Sequence, residues 1–130
     1  MGNDTAEELR LRYLVDAIST ATPVQRLMML FDGLLSDLGA ACEAFPERDW
    51  KRVNDSLVHA QEILFALRDP LDRTTSLGEN LYGVYTFCIG ELIAANLRKD
   101  PGHVEPVRLL VEQIASANRT ALASDLAVSA

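Results

Sequence analysis

Few side chains in this sequence have the chemistry of a metal ligand or a proton carrier, because the chain contains only two histidines and two cysteines. Di-metal sites in helical proteins use Glu-x-x-His pairs on two helices and glutamates from two others. The sequence contains no Glu-x-x-His. Asp55 and His59 are spaced to share one helix face, but they flank the neighbouring apolar heptad. We therefore expect a solvated helix face there, with no metal and no cofactor.

Nucleophilic catalysis finds equally little support. Cys42 and Cys88 fall at apolar positions of predicted helices, where a buried cysteine usually acts as a small hydrophobe. The sequence lacks Gly-x-Ser-x-Gly and a Gly-rich phosphate loop. Arg98 and His103 have the spacing found in helical ribonucleases of the HEPN type, although Pro101 interrupts the helix that such a motif needs. We expect a protein that is not an enzyme, and the ribonuclease is the less favoured alternative.

Composition narrows the class of protein further. The chain has 130 residues, of which 48% are hydrophobic and 24% charged, as in one globular domain. With 19 acidic and 12 basic residues the net charge is −7, which opposes binding to nucleic acid or to anionic membranes. No apolar stretch reaches the ~18–20 residues of a membrane-spanning helix. The N-terminus is acidic, unlike a secretory signal, so we expect a cytoplasmic protein without membrane insertion.

The elements that position these residues all have helical periodicity. Capping boxes at Thr5–Glu8 and Thr22–Gln25 open the first two segments, and Pro23 is at a favourable first helical position. The first segment is predicted to run to Ile18. The second carries apolar residues every three or four positions as far as Phe45 and ends at Pro46.

Three further helices follow. Asp49 is predicted to cap a third helix with a heptad from Trp50 to Leu67. Ser76 and Glu79 have capping-box spacing for a fourth, which ends at Asp100, and a fifth is expected from about His103 to Leu122. Short connections predict antiparallel neighbours. We expect an all-α, antiparallel up-down four-helix bundle in a single domain, with an N-terminal arm over residues 1–21, a core over 22–123 and a frayed tail over 124–130.

These helices carry more apolar residues than a core-facing stripe of about 100° requires. The surplus is clearest on the second and fourth helices, which also contain internal glycines at Gly33, Gly83 and Gly90. A generous core explains the surplus, and so does a groove that accepts a partner helix.

Several motifs together resemble those of the FliS family, the flagellar secretion chaperones that bind flagellin. Thr20-Ala21-Thr22-Pro23 followed by Leu30-Phe31-Asp32-Gly33 resembles the family's Thr-Ala-Ser-Pro and Leu-(Tyr/Phe)-Asp-Gly signature. Tyr13 is where the family has an N-terminal tyrosine. Leu71-Asp72, and then Asn80-Leu81 with Tyr85, Leu92 and Asn96, resemble later family motifs. The resemblance runs from about Tyr13 to Ala117.

Two departures accompany it. Phe31 replaces the signature tyrosine and so lacks the hydroxyl, and the tryptophan usual near the end of the last helix is absent, with Ser116-Ala117-Asn118 in its place. The second departure affects packing at the C-terminal end.

The resemblance implies a cytoplasmic helical bundle that binds the disordered C-terminal segment of flagellin. Members of the family prevent premature polymerisation and help deliver flagellin to the type III export apparatus, so a component of the export gate is a further expected partner. In the family, an N-terminal arm with its tyrosine covers the apolar groove until the client arrives.

We accordingly predict two sets of partner-binding residues. Tyr13 and Ile18 are assigned to the covering arm. The groove on the second and fourth helices is expected to be lined by Met29, Leu30, Leu81, Tyr85, Ile89 and Asn96, while Asn54 and Asn96 offer hydrogen bonds to the client backbone.

Three alternatives remain open for these residues. Tyr13 and Tyr85 could equally be ordinary core aromatics. The two asparagines could equally cap helices or be solvated. The surplus apolar surface equally suits a self-associating bundle that forms a homodimer.

Overall fold

The computed structural model describes residues 5–12 and 21–129, with side-chain surroundings as far as residue 124. All regular structure in these ranges is helical, as predicted. Residues 6–12 form α1, and a short 3-10 turn, Pro101–His103, precedes the last helix. The four long helices are α2 (Pro23–Ala44), α3 (Trp50–Arg68), α4 (Ser76–Arg98) and α5 (Val104–Ser129).

The predicted starts of α1, α2 and α3 are confirmed by their hydrogen bonds. The Glu8 amide donates to Thr5 Oγ1 at 3.1 Å, and the Glu8 carboxylate accepts from the Thr5 amide at 3.2 Å. Thr22 and Gln25 form the same reciprocal pair at the start of α2. Asp49 accepts from the Arg52 amide at 3.2 Å. These side chains satisfy amides that the first helical turn leaves free.

The prediction that Ser76 caps α4 was wrong, because Thr75 takes that position. Thr75 Oγ1 accepts from the Gly78 amide at 2.9 Å and donates to the Asp72 carbonyl at 2.9 Å. A Cβ on Gly78 would lie 1.9 Å from that carbonyl oxygen, so only glycine fits here. Glu79 does not form the expected capping box with Ser76, and its carboxylate instead accepts from Arg73 at 2.9 Å.

The last helix starts as predicted and ends later. Lys99 ends α4 in a left-handed conformation, with φ 52°, and Asp100 accepts from the Gly102 amide at 2.8 Å. The expected end of α5 near Leu122 was wrong, since the helix continues to Ser129 through most of the segment predicted to fray. Pro106 lies in the first turn of α5, where it is tolerated. No proline and no glycine follows Pro106, and alanine, the strongest helix former, recurs along this stretch.

The helices pack in a closed order, with α2 and α4 each contacting both α3 and α5. Side-chain pairs between α2 and α3 run in opposite order along the two helices: Asp37 contacts His59, and the later Glu43 accepts from the earlier Arg52 at 3.0 Å.

The same reversal relates α3 to α4. Arg68, at the end of α3, donates to Thr86 at 3.3 Å, whereas Asn54, near its start, accepts from Asn96 at 2.9 Å. Asp32 of α2 accepts from Arg119 of α5 at 2.8 Å, an ion pair that links these two helices.

The core consists of the inward stripes of these four helices, largely as the periodicity predicts. Phe31, Leu34 and Leu38 of α2 are completely buried, as is the heptad residue Leu64 of α3. Val24 is an exception, since it lies 40% exposed in the first turn of α2. Other apolar residues of these helices are half-buried or exposed, and some of them line the cavities described next.

Candidate functional site

The first candidate site is an apolar cavity between α2 and α3, which we call cavity A. It encloses about 370 Å³ and is lined by Arg26, Met29, Leu30, Gly33, His59 and Ile63. Met29 is 42% exposed, and Leu30 packs against the core from a half-buried position. The structure thus brings these two predicted residues together.

Gly33 shapes the floor of cavity A. A Cβ at this position would lie 3.4 Å from Ile63 Cδ1, an ordinary contact distance, so an alanine would fit between α2 and α3 and glycine leaves that space open in the cavity. His59 closes another side, and its ring contacts the Asp37 carboxylate. The cavity is therefore apolar within and polar on one wall.

A second apolar cavity, cavity B, lies where α2, α4 and α5 meet the end of α3. It encloses about 360 Å³ and is lined by Leu27, Leu67, Leu71, Leu77, Leu81, Tyr85, Ile114, Ala117 and Asn118. Leu81 is half-buried and Leu77 is 68% exposed. Cavities A and B both lie toward the N-terminal half of α2, so this end of the molecule carries two openings for apolar side chains.

Two residues predicted for the groove lie mainly in the core. Tyr85 and Ile89 are 3% and 5% exposed. Burial raises the pKa of Tyr85 to about 12, because the ionised phenolate is poorly solvated there. Tyr85 forms part of the wall of cavity B, whereas Ile89 belongs to the packed interior. The predicted residues are thus divided among two cavities and the core rather than gathered in one groove on α2 and α4.

The two predicted asparagines bond to each other. Asn96 Nδ2 donates to Asn54 Oδ1 at 2.9 Å and links α4 to α3. This bond leaves the Asn96 carbonyl oxygen for another partner, whereas the Asn54 side chain also hydrogen-bonds to Asp55. Tyr13 and Ile18, assigned to the arm, lie outside the described residues.

The residues considered for chemistry are placed as follows. Cys88 is completely buried, as predicted, and burial raises its pKa to about 11. Asp55 pairs with Lys51 at 2.7 Å and is largely exposed, in agreement with a solvated face. His103 contacts Glu91 at 2.7 Å, with Arg98 at the end of α4. Within the described ranges, no group of three or more His, Cys, Asp or Glu residues is placed to hold a metal ion.

Sequence reasoning missed several residues that line the cavities. Arg26, His59 and Ile63 complete cavity A, and Leu71 and Ile114 contribute to cavity B. Gly33 was noted as an internal helix glycine that either a neighbouring helix or a partner would explain. A faint signal existed, because Gly33 and Met29 share one helix face beside the core stripe.

The described part of the chain is all-helical, and two cavities toward the N-terminal half of α2 keep apolar side chains accessible. In the described part of the chain, no helix combines the length and apolarity needed to cross a membrane. The family model for flagellar protein FliS matches residues 6–125. This chain therefore belongs to the FliS family of flagellar secretion chaperones.

Individual relatives agree with this assignment. The chain is 29% identical to the flagellar secretion chaperone FliS of Bacillus subtilis (strain 168) over 113 residues, covering 87% of this chain and 85% of the relative. It is 35% identical to FliS of Escherichia coli (strain K12), covering 83% of this chain and 82% of that one. For FliS of Salmonella typhimurium the identity is 34%, with 78% and 77% covered.

Proposed function

We propose that this protein is a cytoplasmic chaperone that binds the disordered C-terminal segment of flagellin, prevents its premature polymerisation and aids its delivery to the flagellar type III export apparatus. The observation that carries the proposal is the pair of apolar cavities at one end of a chain that belongs to the FliS family. A component of the export gate is the second proposed partner.

The physical argument starts from the client. A disordered segment loses conformational entropy when it folds on a surface, and burial of apolar side chains must offset that loss. Cavities A and B offer such burial through Met29, Leu30, Leu77 and Leu81, all of which keep accessible surface. Steric cover of the client is sufficient to block polymerisation, so no step requires turnover.

The architecture proposed for this task is an antiparallel four-helix bundle formed by α2 to α5. The reversed order of the side-chain pairs between adjacent helices supports it. Residues 1–21 are proposed as the arm, with Tyr13 and Ile18 covering the cavities before the client arrives. This part of the proposal is supported by the family resemblance.

Within the site, we assign different roles to the predicted residues. Met29, Leu30 and Leu81 contact client side chains, and Tyr85 supplies a wall of cavity B. Ile89 supports that wall from the core. Asn96 hydrogen-bonds to the client backbone through the carbonyl oxygen that its bond to Asn54 leaves, and Asn54 does so in exchange for its bond to Asp55.

The proposal is tested by calorimetric titration with a peptide of the C-terminal ~40–50 residues of flagellin from the same organism. Coupled folding predicts a 1:1 complex with favourable enthalpy, unfavourable entropy and a negative heat-capacity change. Met29→Glu should weaken the complex at least tenfold, because it places a charge in an apolar cavity. Leu109→Glu is the matched control, since Leu109 is 52% exposed and lines neither cavity. Equal affinities of the two variants would contradict the assignment of cavity A.

A second candidate function is self-association through the outer face of α4. Phe87, Ile93 and Leu97 are 49%, 42% and 79% exposed on this helix. A Cβ at Gly83 or Gly90 would meet nothing within 4 Å, which leaves room for a second helix to approach. Light scattering at micromolar concentration tests this alternative. A stable dimer that Leu97→Glu converts to monomer supports it, and a monomer at all concentrations rejects it.

A further inference from the structure

A third cavity lies at the other end of the helices, between the C-terminal end of α2 and the start of α5. We call it the end pocket. It encloses about 540 Å³, and four apolar side chains form part of its lining: Phe45, Pro46, Trp50 and Pro101. Phe45 follows Gly33 of cavity A by 12 residues and Leu27 of cavity B by 18, so helix lengths of roughly 18 Å and 27 Å separate this pocket from the two cavities.

The apolar part of the end pocket is a rigid aromatic wall. The Phe45 and Trp50 rings meet edge to face, with centroids 6.2 Å apart and an interplanar angle of 75°. Phe45 is 5% exposed, whereas Trp50 is half-buried and so retains accessible ring surface. Such a wall favours contact with an aromatic or other large apolar side chain.

The end pocket also gathers positive charge in an acidic protein. Arg48 and Lys99 line it, and Lys99 Nζ lies 5.0 Å from the centroid of the Trp50 ring. Both residues have a left-handed backbone, with φ 53° and 52°, a conformation in which glycine or asparagine is more usual. Among the described residues, neither Arg48 nor Lys99 forms an ion pair.

The negative groups nearby are largely engaged elsewhere. Among the described residues, Glu105 is the one carboxylate that lines the end pocket. Its charge also acts on Arg108, whose pKa is raised first by a hydrogen bond to Glu112 and then by Glu105. Asp49 caps α3 and Asp100 caps the 3-10 turn. The pocket thus offers two cations beside an aromatic surface.

We propose that the end pocket binds a short peptide segment of a partner protein in which a carboxylate adjoins an aromatic side chain. The aromatic group packs on Trp50 and Phe45, and the carboxylate pairs with Lys99 and Arg48. Because the whole chain carries a charge of −7, an acidic peptide finds little attraction elsewhere on its surface. The distance from cavities A and B allows this segment and the flagellin client to be bound together.

The chain supplies its own reporter for a test, because Trp50 is its single tryptophan. The full-length protein is titrated with the blocked peptide Pro-Phe-Asp-Asp, and in parallel with Pro-Phe-Asn-Asn, which keeps the shape and removes the charge. We expect a saturable change in tryptophan emission with the acidic peptide. The amide peptide should bind roughly fivefold more weakly, as two partly exposed ion pairs warrant.

Variants locate the binding. Arg48→Asn combined with Lys99→Asn removes both charges and keeps residues that tolerate a left-handed backbone. This double variant should lose roughly fivefold in affinity for the acidic peptide. Lys51→Gln, which removes a charge outside the pocket, should bind as the parent does. Thermal melts of the peptide-free proteins establish that all variants are folded, and affinities rather than baseline emission are compared.

Four results would overturn the proposal, three of them from the peptide titrations. One is equal binding of the acidic and amide peptides, and another is undiminished binding by the double variant. The third is an absence of saturable change up to millimolar peptide. An emission that depends on protein concentration without peptide would instead indicate a second copy of this chain in the pocket, and would also reject the proposal. None of these readouts depends on flagellin, so the outcome is separable from that of the proposed chaperone function.

Discussion

Gly33 gives the sharpest test of the client site, because one substitution should change stability and binding in opposite directions. Replacing glycine by alanine inside a helix stabilises it by about 0.5–1 kcal/mol, through helix propensity and a less flexible unfolded chain. The new Cβ would lie 3.4 Å from Ile63 Cδ1, a contact without a clash. We therefore expect Gly33→Ala to raise the free energy of unfolding by about that amount.

The same methyl group enters cavity A and fills space that a client side chain would use. If it displaces one buried methylene group of the client, the complex loses about 0.8 kcal/mol, or roughly fourfold in affinity. Gly39→Ala is the matched control on the same helix, since a Cβ there meets nothing within 4 Å and Gly39 lines neither cavity. It should gain similar stability and leave affinity unchanged.

Urea denaturation measures the stability of the two variants, and calorimetric titration with the flagellin peptide measures affinity. If Gly33→Ala loses stability while Gly39→Ala gains it, the packing of α2 on α3 is tighter than we infer. If both gain stability and both keep full affinity, cavity A is not where the client binds. The two readouts therefore refute different steps of the reasoning.

Further predictions concern buried groups and the turn before α4. Cys88 should resist a thiol reagent at pH 8 in the folded protein, because it is buried with a pKa of about 11. Half-buried Cys42 should react first, and equal reaction rates of the two thiols would contradict the burial of Cys88. Burial raises the pKa of Tyr85 to about 12, so the folded state holds the phenolic proton more tightly than the unfolded state does. The contribution of this pKa difference to stability is complete below pH ~10 and should decline as the pH rises toward 12. Urea titrations of the parent and Tyr85→Phe across that range should show the decline to be smaller in the variant. Gly78→Ala should cost about 2–3 kcal/mol, since its Cβ would lie 1.9 Å from the Asp72 carbonyl oxygen; thermal melts should place it well below Gly83→Ala, whose Cβ meets nothing within 4 Å.

The helices were predictable because their signals are local. Caps such as Thr22 and Asp49 compete only with neighbouring residues, and the period of residues such as Leu34 and Leu38 specifies the buried face. The start of α4 shows where locality fails. Ser76 and Thr75 both have side chains able to cap α4. Which of them is the N-cap residue depends on how the loop at Asp72 packs against Gly78, and that contact is not visible in the local sequence.

The site was less predictable, for a related reason. Periodicity identifies apolar residues beyond the core stripe, and Met29 and Leu30 were found in that way. It does not tell which of them a neighbouring helix covers. Ile89, predicted for the groove, and Ile93 are identical residues one helical turn apart, yet they are 5% and 42% exposed, because only Ile89 lies among the packed core residues.

The asparagine pair illustrates the same limit for polar residues. Asn54 and Asn96 are 42 positions apart. In the sequence, each residue considered alone is a hydrogen-bonding group with no partner in view. Their contact arises because α3 and α4 run in opposite order, so that the start of one meets the end of the other. A polar residue assigned to a partner from sequence alone has therefore to be tested first against partners within its own chain.

The arrangement of polarity along α2 connects these observations. Its first half carries Met29, Leu30 and Gly33 beside the core stripe. Gly33 makes the helix less stable than an alanine would, and it leaves space in cavity A. Beyond the other end of the helix, Phe45 joins Trp50 in the end pocket, and Arg48 follows without an ion pair among the described residues. A helix selected for stability alone would replace the glycine and pair the cation. Under the two proposals, Gly33 leaves space for the client in the first half of α2, and Arg48 pairs with a carboxylate of a second partner beyond its other end, so each proposed partner has its own end of the helix.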